Sequence, residues 1–93
     1  MKKIEKKFSK KGFTYAQIKR VGRKAIYSQV RDDVESSSVR YEVVIIKSHD
    51  GYEIAGNKIP PGEVYPSSTQ WGVLGWTFLD LKSAENKFLK LKE

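Results

Sequence analysis

The chain has no cysteine, a single histidine, a single methionine and three prolines in 93 residues. Without cysteine there is no disulfide framework, no thiol nucleophile and no thiolate zinc site, which fits a reducing compartment. With one histidine, a zinc site would rest mostly on carboxylates, an atypical ligand set. His49-Asp50-Gly51 reads as a turn, and neighbours in sequence do not make a catalytic triad, which is assembled in space. Gly56-Asn57-Lys58 and Pro61-Gly62-Glu63 lack the glycine spacing of a phosphate-binding loop. Asp32, Asp33 and Glu35 read as a solvated loop rather than a metal site. No nucleophile–base pair or ligand set is visible, so the expectation is a non-enzymatic protein without cofactor or metal.

Long apolar runs are missing too. The longest is Val43-Val44-Ile45-Ile46, against the roughly 20 residues that span a bilayer. The N-terminus begins with positive charge but has no apolar stretch after it, so it does not read as a secretory signal. These absences point away from a membrane and toward the cytoplasm of whatever cell makes the protein.

Positive charge is present in excess and unevenly spread. The formal net charge is +7, and the first eleven residues hold six lysines against one glutamate, or five of those seven charges. Such a cluster attracts a polyanion or keeps a small domain soluble. It also makes mimicry of nucleic acid an unsuitable role. The remaining composition, 39% hydrophobic and 31% charged with eleven aromatics, is that of an ordinary globular core. A chain of this size buries roughly two-thirds of its unfolded surface.

Residues 1–12 read as a basic arm or a short helix, since Ile4 and Phe8 lie one helical turn apart. Residues 13–93 read as one domain. Alternation in Phe13–Arg20 and Lys24–Arg31, around the turn Val21-Gly22-Arg23, predicts a β-hairpin. Val39–Ser48 is apolar on both faces at its C-terminal end, which predicts a central strand. Residues 52–74 hold all three prolines and are irregular, with short strands expected at 52–55 and near Val64. Pro66-Ser67-Ser68 can start a helical turn, and 75–78 reads as a last strand. Asp80 is suited to N-cap a helix whose apolar face is Leu81, Ala84, Phe88 and Leu91. The expected fold is α+β: a twisted antiparallel sheet of four to five strands with one C-terminal helix packed on one face. Ile18, Ile26, Val30, Val44 and Ile46 are the expected helix-facing residues, which leaves Tyr15, Lys19, Tyr27 and Arg31 on the outer face.

That outer face is the first candidate site. Aromatics interleaved with cations suit single-stranded nucleic acid, because bases stack on rings while cations follow phosphates. The same pattern also serves a half-exposed sheet that binds nothing. The lysine arm would add salt-sensitive affinity without sequence preference. Trp71-Gly72-Val73-Leu74-Gly75-Trp76 offers either a stacking or protein-binding platform or a roof over a small core. On these grounds Lys10, Lys11, Lys19 and Arg31 are candidate phosphate contacts, and Tyr15, Tyr27 and Trp71 candidate stacking residues. If the partner is instead a protein, the 52–76 segment would supply the anchors Tyr52, Tyr65, Trp71 and Trp76.

The run Tyr41-Glu42-Val43, followed by Ala55-Gly56-Asn57, Glu63-Val64-Tyr65-Pro66, Trp71-Gly72 and Gly75-Trp76-Thr77, resembles small uncharacterised proteins of bacteriophages and related mobile elements. The resemblance implies a phage or prophage origin, a bacterial host cytoplasm, and a role in host takeover or anti-defence. Strands followed by one C-terminal helix are also similar in architecture to the transcriptional-coactivator and whirly family of single-strand-binding proteins. That likeness implies a homodimer with Leu81, Phe88 and Leu91 in its seam. The function expected is non-enzymatic binding of nucleic acid, single-stranded rather than duplex and not sequence-specific. The alternatives are an inhibitor of a host or defence protein, and an accessory protein of a virion or its assembly.

Overall fold

The computed structural model describes residues 3–32 and 39–91. The acidic loop expected at 32–38 therefore lies, beyond Asp32, outside the described residues. Five strands form one antiparallel sheet: β1 (Lys7–Lys10), β2 (Phe13–Val21), β3 (Lys24–Arg31), β4 (Arg40–Ile45) and β9 (Gly75–Phe78), side by side in that order. Between β4 and β9 the chain makes two small two-stranded sheets. One pairs β5 (Lys47–His49) with β8 (Gly62–Val64), and the other pairs β6 (Tyr52–Ile54) with β7 (Asn57–Ile59). Helix α1 (Leu81–Lys90) follows β9 and packs on β3, β4 and β9. The fold is α+β.

The turns explain the hairpins. Gly22 opens the two-residue β2–β3 loop with φ 62°, and Ala55-Gly56 closes β6–β7 with φ 49° and 83°. Lys11-Gly12, at φ 52° and 83°, adopts the same pair of left-handed conformations, which match the twist of flanking strands. This last turn corrects the reading of residues 1–12. Residues 7–10 are neither helix nor arm but the edge strand β1, with Phe8 opposite Tyr15 and Lys10 opposite Phe13. A helix would crowd the lysines, whereas a strand sends Phe8 to one face and lets the lysines blunt an open edge.

Each face of the sheet carries its own core. On the helix face, Ile26 and Val43 pack with Ala84 and Phe88, flanked by Tyr41, Phe78, Leu81 and Leu91. Asp80 caps the helix as expected, accepting from the Ser83 backbone N–H at 2.8 Å, which lowers its pKa. At the other end Lys24 Nζ donates to the Phe88 and Leu91 carbonyls at 3.1 and 3.2 Å. A cation is favoured there, where the last carbonyls lack helical partners.

On the opposite face, Ala25, Tyr27, Val44 and Ile46 are fully buried beneath Ile4, Phe8, Tyr15, Tyr65 and Trp71. Val44 and Ile46 therefore do not face the helix, contrary to expectation. Val43 does, because it lies opposite Ile26 in register. The dimer seam is corrected as well, since Phe88 is 2% exposed inside this chain's own core. Among the described residues, no helix is long and apolar enough to cross a membrane.

Candidate functional site

Alternation places Phe13, Tyr15 and Gln17 of β2 on the face turned away from the helix, opposite Arg31, Gln29 and Tyr27 of β3. A β-bulge between Gln17 and Lys19 then breaks the pattern. A bulge inserts one unpaired residue and re-aims the side chains beyond it. Ile18 is that residue and is 44% exposed. Lys19 crosses to the helix face, opposite Ile26 and with its Nζ 5.2 Å from the Phe88 ring centroid. Tyr15 and Lys19, expected together, are separated by the bulge.

The face that holds Tyr15 is roofed by the irregular segment between β8 and β9. Phe8 stacks on Tyr15 with ring centroids 4.9 Å apart. Tyr65 packs on Phe8, Tyr15 and Tyr27 at 5.5, 5.6 and 5.3 Å, and on Trp71 at 6.4 Å. Tyr27 lies beneath this layer with no exposed surface. Its hydroxyl accepts from Gln17 at 2.9 Å and donates to the Glu5 carbonyl at 3.1 Å. It is a core residue and has no ring face to offer a base. Burial raises the pKa of Tyr15, Tyr27 and Tyr65.

The roof is tied down by one carboxylate. Glu63 on β8 takes a two-pronged salt bridge from Arg20 on β2, at 2.8 and 2.7 Å, and accepts the Ile4 backbone N–H at 3.1 Å. These donors lower its pKa from the ordinary 4.5 to about 2, with the Arg20 hydrogen bonds the largest cause. A second fixing point is Trp71. Its indole N–H donates to Thr77 Oγ1 at 2.9 Å, and its six-membered ring lies over Gly75, where a Cβ would clash with it. Gly75 is glycine because the ring approaches the backbone so closely.

Between β1, β2 and this roof an open cleft of about 490 Å³ remains, lined by Lys10, Lys11, Phe13, Tyr15, Glu42, Tyr65, Pro66, Ser67 and Trp71. Its size falls within the roughly 300–1,000 Å³ of small-ligand sites. The walls are aromatic and the lysines of the β1–β2 turn stand at the rim. The floor is Glu42, 6% exposed on the central strand β4. Tyr65 donates its hydroxyl to Glu42 Oε1 at 2.7 Å. Burial raises the Glu42 pKa, against the lowering effects of that bond and of Lys10.

Of the seven residues read from the sequence as nucleic-acid contacts, the cleft gathers Lys10, Lys11, Tyr15 and Trp71. Arg31 shares its face, opposite Phe13. Lys19 lies on the other face and Tyr27 is buried. Among the four protein-binding anchors, Tyr65 and Trp71 line the cleft. Trp76 packs on the helix side under Lys87, whose Nζ is 4.2 Å from its ring centroid. Tyr52 is half-exposed on the β6–β7 hairpin beside His49, at 5.1 Å between centroids.

Sequence reasoning missed Glu42 and Phe13. The signal for Glu42 was a lone carboxylate within the apolar alternation of the strongest strand. For Phe13 it was membership of the same alternating set as Tyr15. Among the described residues no group of histidine and carboxylate side chains is placed to hold a metal ion. No protein family, curated protein or solved structure matches the chain.

Proposed function

We infer that this is a small, non-enzymatic, phage-type protein that binds single-stranded nucleic acid in the cytoplasm of a bacterial host. The observation that carries the reading is the cleft itself: aromatic walls from Phe13, Tyr15, Tyr65 and Trp71 meet the rim lysines Lys10 and Lys11. Rings accept unstacked bases and lysines follow the backbone, and neither demands a particular sequence along the strand. A duplex keeps its bases stacked inside, where a cleft of this kind does not reach them.

The test is an anisotropy titration of labelled single-stranded DNA, duplex DNA and single-stranded RNA over a range of salt. Single strands should bind more tightly than duplex. The double variant K10A/K11A should lower the slope of log affinity against log salt by about 1.4, at roughly 0.7 per phosphate contact on a single strand. Equal binding of duplex, or an unchanged slope, would count against the reading.

One observation favours a second reading. The β6–β7 hairpin forms its own two-stranded sheet with Tyr52 and Ile54 half or more exposed, which suits a contact with a host or phage protein. Under that reading, Tyr52→Ala would abolish capture of a protein partner while K10A/K11A would not.

A further inference from the structure

The cleft has a charged floor where its aromatic walls lead one to expect an apolar one. A carboxylate offers about four acceptor positions. Among the described residues, the Tyr65 hydroxyl is the hydrogen-bond donor to Glu42. A carboxylate this buried is costly unless further donors reach it. The cleft opens directly above it, so a ligand can bring them.

The three parts of the site restrict what that ligand is. An ammonium group would suit the floor and the rings, yet it would enter past Lys10 and Lys11. A simple anion would suit the lysines and be repelled by Glu42. A nucleotide satisfies all three at once, with a flat ring between aromatic walls, N–H donors on one edge and a phosphate at the far end. Building on the nucleic-acid reading of this cleft, we propose that it holds one unpaired base with its Watson–Crick edge toward Glu42, and that it prefers guanine.

The preference follows from donor patterns. Guanine presents two adjacent donors on that edge, N1–H and the N2 amino group, which match the two oxygens of a carboxylate. Cytosine and adenine present one amino group beside an acceptor nitrogen. Thymine and uracil present a single N–H between two carbonyls, and those carbonyls would face the carboxylate. Single strands are read by such edge contacts together with stacking. The strand as a whole still binds with little sequence preference, because only one nucleotide is read.

The experiment uses the full chain and short labelled strands of thymidine that carry dG, dC, dA or dT at the central position. The dG strand should bind at least about tenfold more tightly than the dT strand, the scale expected of a two-donor contact. Dissolved guanosine monophosphate should displace a labelled strand at a correspondingly lower concentration than uridine monophosphate. E42Q, which replaces one acceptor oxygen with a donor, should shrink the dG advantage to about twofold, because it removes an acceptor for guanine and offers a thymine carbonyl a donor in place of the carboxylate that repelled it. Should E42Q fail to fold, the mononucleotide competition on the unaltered protein decides. Equal binding of all four strands and equal competition would overturn the guanine pocket while leaving single-strand binding in place. Absence of binding by any strand, even at low salt, would overturn both.

Discussion

The two faces of the main sheet are built from the same strands and finished differently. On the helix face, Ile26, Val43, Ala84 and Phe88 close on one another, and the polar groups at the margin serve the helix ends. On the other face a layer of rings covers Ala25, Tyr27, Val44 and Ile46, and polar atoms run through it: three tyrosine hydroxyls, Gln17, Gln29 and the Glu42 carboxylate. A helix presents a regular stripe that fills a sheet face, whereas an irregular roof with proline and glycine does not. The helix face serves stability, and the roofed face keeps space and chemistry together.

That contrast can be broken from either side. Phe88→Ala on the helix face should have the largest effect, a loss of about 3–5 kcal/mol for a buried aromatic. Chemical denaturation would measure it, and strand affinity of the folded fraction should be unchanged. Tyr65→Phe in the roof preserves the ring contacts but removes the donor to Glu42. A lost hydrogen bond to a charged group should cost about 2 kcal/mol, and here strand binding should change as well. Both faces responding alike in binding would dissolve the distinction.

The smallest effect is expected at the tie beneath the roof. Glu63→Gln should cost about 1–2 kcal/mol at neutral pH, between the limits for exposed and buried ion pairs. The sign of its pH dependence is fixed by the lowered pKa. The Glu63 contribution is full above the ordinary 4.5 and is lost as pH falls toward about 2, because the folded state binds the proton less readily than the unfolded chain. Stability measured from pH 5 to pH 2 should therefore fall less steeply in the variant than in the unaltered protein.

Much of the framework was legible in particular residues. The alternation around Gly22 gave the β2–β3 hairpin, Asp80 gave the helix start, and the Leu81–Leu91 spacing gave its buried face. The same alternation put Tyr15, Tyr27 and Arg31 on one side of the sheet. What alternation does not carry is whether a second layer covers that side. Tyr27 is buried because Phe8 and Tyr65, distant in sequence, close over it. Lys19 was misplaced because a bulge shifts the period by one residue, and nothing in Gln17-Ile18-Lys19 announces it. Lys7–Lys10 pairs as a strand because Lys11-Gly12 turns back toward β2, a geometry that composition alone does not distinguish from a helix end. Glu42 was hidden for the opposite reason: its meaning lies in the cleft above it, which exists only once residues 65–71 are in place.

The Glu63 contacts also set an order of events. They join residues 43 and 59 positions apart in the chain, while the β1–β2 and β2–β3 hairpins close through two-residue turns. Long loops must be closed before such contacts reward the chain, so the hairpins are expected to form early and the roof to settle last. Contacts that settle last are commonly the first to open. The roof of the cleft is then expected to exchange more readily than the central strands beneath it. Backbone amides of residues 62–72 should trade hydrogen for deuterium well before those of β3 and β4, and an occupied cleft should slow that exchange.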